Sequence, residues 1–219
     1  MDPSDSDQVD GPARLTQQVW TVAAKQLDRF KPRAHDEDQP LTPRWREARW
    51  EQIPNRFRWA KIEDLAEAWR GDVEAWATTE GPAPNLVLYG PTGTGKTHAA
   101  VAAARLRFDA GDEVQFWPVV ELLDGLRPGG DLEVWDRAVT DADTLILDDL
   151  GASRATDWTD ERLYALINRR WLDERPTIVT TNLAPEDLMT AVGERIASRV
   201  LGCGAVVLGV GGPDRRLDP

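Results

Sequence analysis

Five short apolar runs, separated by segments with helical spacing, constrain the fold of this chain more than any other feature. The runs occupy residues 85–90, 113–119, 144–150, 177–182 and 205–210. Each is rich in Leu, Ile, Val or Thr, as expected of strands that are buried on both faces of a parallel sheet. Helical patterns, notably at 97–109 and 160–174, lie between them. The alternation predicts an α/β core with a five-stranded parallel sheet and right-handed crossovers.

The chain before this core has a different organisation. Residues 1–12 are acidic and aperiodic, which favours disorder. In residues 14–30, apolar positions recur at helical spacing and predict one amphipathic helix, and the proline-bearing stretch after it is expected to act as a linker that tethers this helix. The apolar stripe must be buried on the chain's own core, on a partner or on a second copy. We therefore divide the chain into a partner-binding region at 1–40, an approach segment with a helix at 41–84, and a core at 85–219.

Composition excludes several classes of function. The net charge of −12 argues against indiscriminate nucleic-acid binding, because such affinity comes from phosphates neutralised by Lys and Arg. The longest apolar stretch is too short to cross a bilayer, and the chain start lacks a signal-peptide pattern, so we expect a cytoplasmic protein with no membrane partner. One cysteine, Cys203, and two distant histidines, His35 and His98, predict neither a disulfide nor a protein-only metal cluster.

Positive charge and aromatic side chains are concentrated just before the core. Residues 29–61 hold nine Lys or Arg against five Asp or Glu, a local charge of +4, together with Trp45, Trp50, Phe57 and Trp59. Basic residues interleaved with aromatic ones can stack single-stranded bases. The same pattern suits an aromatic segment that packs on the core with its arginines in water. Single-stranded DNA is thus one candidate partner.

The sequence GPTGTGKT at 90–97 follows the first predicted strand, opens a predicted helix and matches the phosphate-binding loop G-x-x-x-x-G-K-[ST]. Glycines let successive backbone N–H groups face a phosphate, and the helix adds the positive end of its dipole. Lys96 is expected to reach the β- and γ-phosphates, and the hydroxyl of Thr97 to bind Mg²⁺. The predicted residues for binding ATP or ADP are Gly90, Pro91, Thr92, Gly93, Thr94, Gly95, Lys96, Thr97 and His98.

Two later strands end in polar side chains. The run TLILDDL delivers Asp148 and Asp149 to the carboxyl end of a buried strand, where ligands of open parallel sheets bind. Asp148 is expected to hold Mg²⁺, and Asp149 to polarise the attacking water. The run TIVTTN ends at Asn182, whose amide can hydrogen-bond both the γ-phosphate and that water. Lys96, Asp149 and Asn182 are therefore candidate catalytic residues.

The chain resembles the AAA+ ATPases of the DnaC/DnaI helicase-loader family and its IstB-type transposition relatives. The resemblance lies in five segments that follow one another in this order: GPTGTGKT, LILDDLG, TDWTDERLYALINRRW, RPTIVTTNL and GERIASRV. The resemblance covers about residues 53–212. It implies a sheet of order 5-1-4-3-2, ATP bound between neighbouring subunits, and action on a replicative helicase and single-stranded DNA. It also makes Arg199 the catalytic finger that reaches the γ-phosphate held by the adjacent subunit, where a guanidinium stabilises charge on the transferred group. Arg195 lies one turn earlier on the same face and either supports Arg199 or forms a surface ion pair.

Details of the family pattern lead to further expectations. The short tail after the last strand leaves no room for a helical lid with a further phosphate-sensing arginine, which predicts weak hydrolysis by a lone monomer. Asp149 stands where most AAA+ enzymes have Glu, so its shorter carboxylate predicts either a water molecule that lies closer or slower turnover. The adenine pocket is expected near residues 58–62. The segment 121–143, with Arg127 and Arg137, is a weak candidate for DNA contact.

The favoured interpretation is an ATP-dependent helicase loader. Its helix at 14–30 would bind a replicative helicase, while ATP drives self-association through Arg199. A transposition accessory ATPase on duplex DNA and an ATP-binding adaptor with little hydrolysis remain alternatives. A small-molecule kinase would need an arginine-rich closing lid and an acceptor pocket, and the sequence shows neither.

Overall fold

A sheet of five parallel strands lies at the centre of the computed structural model, which describes residues 47–48, 50–81, 83–126, 142–152, 156–202 and 204–215. The strands are β1 (Leu86–Tyr89), β2 (Val114–Pro118), β3 (Thr144–Asp148), β4 (Thr177–Thr181) and β5 (Val206–Gly209). Their order is β2-β3-β4-β1-β5, so the predicted order is confirmed. Each strand lies within its predicted run and is shorter, because the apolar runs extend past the paired residues.

The helices of the described core connect and flank these strands. They are α1 (Glu67–Ala77), α2 (Lys96–Ala110), α3 (Val119–Gly125), α4 (Asp157–Leu172), α5 (Pro185–Val192) and α6 (Glu194–Leu201), and a short 3-10 helix (Ile62–Asp64) precedes α1. Helix α4 begins three residues before the predicted start. Thr156 explains the difference, because its hydroxyl accepts the Thr159 N–H while the Thr159 hydroxyl accepts the Thr156 N–H, which caps the helix.

Helix α2 is buried on nearly every side. Residues 99–104, five alanines and one valine, are all fully buried, and such small side chains let the helix pack closely on both the sheet and α1. Helix α1 contributes Trp69, Val73 and Trp76 to the same hydrophobic core. The indole of Trp76 donates to the carbonyl of Pro84 at 2.6 Å, which satisfies its polar atom. The segment before β1 is thus packed into the core of the sheet.

A buried arginine joins the beginnings of β3 and β4. The guanidinium of Arg170 donates to the carbonyls of Ala142 at 2.8 Å, Asp143 at 3.0 Å and Pro176 at 2.9 Å, and to the hydroxyl of Thr177 at 3.1 Å. Burial lowers the pKa of Arg170 to about 9, so the group is still protonated at neutral pH. Sequence periodicity alone did not single out this residue, because arginine near the end of an amphipathic helix is usually on the surface.

The strand register brings the carboxyl ends of β1, β3 and β4 level. Tyr89 lies opposite Thr181, and the ladder continues with the N–H of Gly90 donating to the Thr181 carbonyl at 3.2 Å. β3 pairs with β4 on the other side, with Leu147 opposite Val179. The phosphate-binding loop, the Asp148–Asp149 pair and Asn182 therefore emerge at one edge of the sheet.

Several expectations concern residues outside the described ranges. These are the helix at 14–30 with its linker, Trp45, Arg127, Arg137 and Cys203. Within the described ranges, every helix is too short or too polar to span a bilayer.

Candidate functional site

The loop at 90–97 follows β1 and curls before α2 begins at Lys96. Gly90 and Gly93 have φ of 144° and 86°, in the region that side chains rarely adopt. Steric contacts also require glycine at both positions. A Cβ on Gly90 would lie 2.4 Å from the Val210 carbonyl oxygen, and one on Gly93 would lie 1.9 Å from the Asp214 carboxylate. The loop is therefore held from outside by the chain that follows β5.

Lys96 lies inside this loop. Its ammonium donates to the carbonyls of Gly90 at 2.8 Å and Pro91 at 2.7 Å, and to Oδ1 of Asn182 at 2.8 Å. The hydroxyl of Thr94 donates to the Pro91 carbonyl at 2.9 Å, so it closes the loop. A cation enclosed by a glycine-shaped main-chain loop at a helix N-terminus is a site for phosphate groups.

Thr97 and Asp148 are in direct contact. The Thr97 hydroxyl donates to Oδ1 of Asp148 at 2.8 Å, and the Thr180 hydroxyl donates to the same oxygen at 2.7 Å. Burial raises the pKa of Asp148, while these two hydroxyls and the Lys96 charge oppose the rise. A hydroxyl beside a carboxylate is the donor set by which Mg²⁺ binds together with nucleotide phosphates, so these residues fit the predicted ion. Among the described residues, no cluster of His, Cys, Asp and Glu could hold a metal without such a ligand.

Asn182 bridges Lys96 and Asp149. Its amide nitrogen donates to Oδ1 of Asp149 at 2.8 Å, while its oxygen accepts from Lys96. Asp149 has φ of 62°, and its backbone N–H is held by the Thr180 hydroxyl at 2.9 Å. The left-handed conformation turns the chain sharply after β3 and places the Asp149 carboxylate at the exposed mouth of the site.

One cavity of about 420 Å³ collects these groups. Among its lining residues are nine that the sequence predicted, namely Thr92, Gly93, Gly95, Lys96, Thr97, His98, Asp148, Asp149 and Asn182. Gly90, Pro91 and Thr94 are not among its lining residues: the first two accept from Lys96 through their carbonyls, and Thr94 donates within the loop. Its size lies within the usual range for small-ligand pockets, about 300–1,000 Å³.

The residues of the approach segment that line the cavity lie just before residues 58–62, where the adenine pocket is expected. These residues are Arg56 and Phe57. The Arg58 guanidinium caps backbone carbonyls, donating to that of Ile53 at 3.1 Å and to that of Glu51. The turn geometry after Pro54 decides which side chains of this segment face the cavity, and the adenine pocket near 58–62 stays a prediction.

The aromatic residues of the basic stretch have different environments. Trp50 is buried in the core, and its ring centre lies 4.9 Å from that of Phe108. This agrees with the alternative in which the aromatic segment packs on the core. Trp59 is 74% exposed. Phe57 is partly buried and lines the cavity, so Trp59 is the described aromatic residue of this stretch whose ring is mostly exposed.

The chain end adds a residue that the sequence did not suggest. Arg215 lines the cavity, and its backbone N–H donates to the Gly93 carbonyl at 3.0 Å. His98 lies between this tail and Asp64, with its Nε2 3.5 Å from the Asp64 carboxylate. Burial lowers the pKa of His98, Arg215 adds to the effect and Asp64 opposes it. Arg215, in the tail after β5, therefore lines the cavity, and the weak hydrolysis expected of a lone monomer stays a prediction.

Arg199 and Arg195 lie away from this cavity. The Arg199 guanidinium contacts Asn168 and Tyr164 of α4, and Arg195 lies over the Tyr164 ring at 4.0 Å. Neither arginine is among the residues that line the cavity of its own chain. Any contact of Arg199 with a nucleotide would therefore have to be made in another copy.

Comparison with known proteins assigns the family. The sequence model of IstB-like ATP binding proteins matches residues 73–201. The chain belongs to this family. The phage-like element PBSX protein XkdC of Bacillus subtilis is 28% identical over 191 residues, which cover 84% of this chain and 71% of XkdC. The replicative helicase loader DnaC of Escherichia coli is 24% identical over 126 residues, which cover 55% of this chain and 51% of DnaC.

A solved structure supports the same fold. The crystal structure of DnaI superposes with a TM-score of 0.65 at 23% identity, and the match covers 75% of this chain and 95% of that structure. At this identity the likeness concerns the fold alone. This IstB-like protein is thus an AAA+ ATP-binding protein that is similar to DnaC in sequence and to DnaI in fold, and the predicted family and fold class are confirmed.

Proposed function

We propose that this IstB-like protein hydrolyses ATP at the described cavity when several copies assemble. One observation carries the proposal: Asn182 joins Lys96 to Asp149 through hydrogen bonds of 2.8 Å at the cavity that also holds the Thr97–Asp148 pair. Groups for binding phosphate, for holding a metal ion and for activating water therefore lie together. A purely structural ion pair would not require all of them at the end of one sheet.

Each side chain has a role that follows from its position. The main chain of the loop and Lys96 bind the phosphates, and Arg215 adds a second cation from the tail. Thr97 and Asp148 would hold Mg²⁺, which when bound neutralises charge on the β- and γ-phosphates. Phe57 and Arg56, which also line the cavity, would contact the base or ribose.

The hydrolysis step uses Asp149 and Asn182. The Asp149 carboxylate accepts a proton from a water molecule that Asn182 orients. The water oxygen forms a bond to the γ-phosphorus, and the bond from that phosphorus to the bridging oxygen breaks. The products are ADP and phosphate. Arg199 of a neighbouring copy stabilises the charge that spreads over the transferred group, which makes hydrolysis depend on assembly.

The cellular role that we propose is the loading of a replicative helicase. The similarity to DnaC, which is named a replicative helicase loader, and the fold shared with DnaI support it. The chain spans about half the length of DnaC in this match, so the helicase partner and its binding by residues 14–30 belong to the proposal alone. Single-stranded DNA is included as a partner because Trp59, two positions after the cavity residue Phe57 in the chain, exposes its ring.

A co-purification experiment tests this role. The full chain is expected to retain a replicative helicase from the same cell in the presence of ATP and Mg²⁺. A variant that lacks residues 1–40 is expected to lose the helicase and to keep its affinity for ATP. If the shortened chain still retains the helicase, the assignment of residues 14–30 is wrong. If the full chain retains none, the loader role is wrong.

A transposition accessory role is the second candidate. The family model favours it, because it describes IstB-like proteins of the insertion-sequence type IS21. The two roles predict different stimulation of ATP hydrolysis. Stimulation by duplex DNA without any affinity for a helicase would favour the transposition role. An adaptor that binds ATP with little hydrolysis would show equal turnover in the wild type and in Asp149→Asn.

A further inference from the structure

The side chain of Arg199 is held by an unusually complete set of contacts. Its Nε–H donates to Oδ1 of Asn168 at 2.8 Å, one terminal nitrogen donates to the Tyr164 hydroxyl at 3.2 Å, and the other donates to the Arg195 carbonyl at 2.9 Å. Asn168 and Tyr164 are one turn apart on α4, so the same face of that helix supplies both side-chain acceptors. An arginine that needed only to fill a surface position would not require such support.

Aromatic rings fix the plane of the same group. The central carbon of the Arg199 guanidinium lies 4.9 Å from the Tyr164 ring centre and 5.4 Å from that of Trp171. Arg199 is half-buried by these contacts, whereas Arg195 is exposed. A long side chain with several rotatable bonds is thereby ordered before it meets any ligand, which removes part of the entropy cost of binding.

The hydrogen bonds leave the guanidinium able to bind an anion. Arginine has five N–H donors, and the described contacts use three of them. The remaining two are the number that a bidentate contact with a phosphate requires. The backbone of the same residue is fixed as well, because the Asn85 amide donates to the Arg199 carbonyl at 2.9 Å.

We propose that Asn168 and Tyr164 are positioning residues that hold the Arg199 guanidinium in the orientation in which it reaches the nucleotide of a neighbouring copy. This inference rests on the proposed function, in which Arg199 acts between copies. Asn168 and Tyr164 do not contact the nucleotide themselves, and they act only through Arg199. Their effect must therefore appear in the copy that supplies the arginine and not in the copy that binds the nucleotide.

Assemblies mixed from two variants distinguish the copy that binds the nucleotide, here called the receiver, from the copy that supplies the arginine, here called the donor. The receiver carries Arg199→Ala and keeps an intact cavity, while the donor carries Asp149→Asn and keeps its arginine. Each variant alone is expected to lose hydrolysis, the receiver by about a thousandfold or more because it lacks the finger. In an equimolar mixture, about one quarter of the head-to-tail interfaces pair a receiver cavity with a donor arginine, so part of the activity returns.

The decisive variant is Asn168→Ala, introduced into one member of the mixture at a time. In the donor it is expected to lower the regained rate roughly tenfold, because an orienting hydrogen bond to a charged group is lost. In the receiver it is expected to leave the rate unchanged. Tyr164→Phe in the donor removes only the hydroxyl acceptor and is expected to give a smaller loss, about threefold.

Two controls complete the design. Arg169→Ala in the donor alters the adjacent residue of α4, whose side chain pairs with Asp173 at 2.8 Å, and is expected to have no effect. Asn168→Asp in the donor keeps an acceptor oxygen for the Arg199 Nε–H and is expected to restore most of the rate. Asn168→Ala in the receiver also reports on folding, since a damaged α4 would impair assembly from either side.

The outcomes test separately the positioning role of Asn168 and Tyr164 and the action of Arg199 between copies. A loss confined to the donor supports the positioning role. An equal loss in donor and receiver, or no loss in either, overturns it while leaving the action of Arg199 between copies intact. A parent mixture that regains no activity contradicts that action, and the positioning role with it.

Discussion

Removal of the Asn182 amide provides a strong test of the proposed chemistry. Asn182→Ala takes away two short hydrogen bonds to charged groups, one from Lys96 and one to Asp149, both at 2.8 Å, besides a longer one from the Thr92 hydroxyl at 3.4 Å. Such bonds contribute about 1.5–3 kcal/mol each, and the lower figure applies here because Asn182 is exposed. The sum of the two is about 3 kcal/mol, which corresponds to about 160-fold in rate if both interactions act in the transition state.

The rate constant kcat and the dissociation constant Kd for ATP should respond differently to this substitution. Asn182→Ala is expected to lower kcat for ATP hydrolysis by this factor, because the attacking water loses its orientation. The Kd for ATP is expected to change little, since the loop main chain, Lys96 and Arg215 still bind the phosphates. Single-turnover hydrolysis at saturating ATP measures the first quantity, and equilibrium titration with a fluorescent ATP analogue measures the second.

Asn182→Asp is the matched comparison. It keeps an oxygen for Lys96 but replaces the donor to Asp149 with a second carboxylate, so kcat should fall by a similar factor. A fall in kcat below about threefold for both variants, or a rise in Kd as large as the fall in kcat, would refute a transition-state role for Asn182.

Other predictions follow from residues around the site. Arg215→Ala should raise the Kd for ATP about tenfold in calorimetric titration, because a charge-assisted contact contributes about 1.5 kcal/mol, and an unchanged Kd would exclude Arg215 from the nucleotide site. Asp148→Asn should raise the Tm of the nucleotide-free protein at pH 7 while Mg²⁺-dependent ATP binding is lost. The reason is that the folded-state pKa of Asp148 lies above its ordinary value of 3.8, so stability falls as pH rises from that value through the folded-state pKa, and the amide removes this cost. A lower Tm would contradict the assigned direction. Arg170→Met should reduce the free energy of unfolding by about 3–5 kcal/mol in urea titration, because buried carbonyls at the starts of β3 and β4 lose their donor, and a loss below about 1 kcal/mol would mean that other groups replace it.

The sheet and the phosphate-binding loop were predictable because their signals are local. A strand buried on both faces must be apolar along its length, and the loop needs glycines at fixed positions before a helix. Parallel strands place their carboxyl ends together, so the sequence alone assigns Asp148, Asp149 and Asn182 to one edge of the sheet. Helix boundaries were less accurate, since the Thr156 cap moves the start of α4.

Residues brought to the site by distant parts of the chain could not be found in this way. Arg215 reaches the cavity because the chain after β5 passes along the loop and bonds to Gly93. Phe57 faces the cavity because of a turn within the approach segment. Asn168 and Tyr164 have ordinary helical spacing, and their significance depends on how α4 packs on α6. Such contacts depend on tertiary packing, which periodicity and motif spacing do not encode.

The central claim is that ATP bound by one copy is hydrolysed with the help of Arg199 from another. The most direct measurement is turnover per chain at saturating ATP and Mg²⁺ over a wide range of protein concentration, for the wild type and for Arg199→Ala. Wild-type turnover per chain is expected to rise with concentration and reach a plateau, while the turnover of the variant stays low throughout. Turnover per chain that is independent of concentration and equal in both proteins would contradict it.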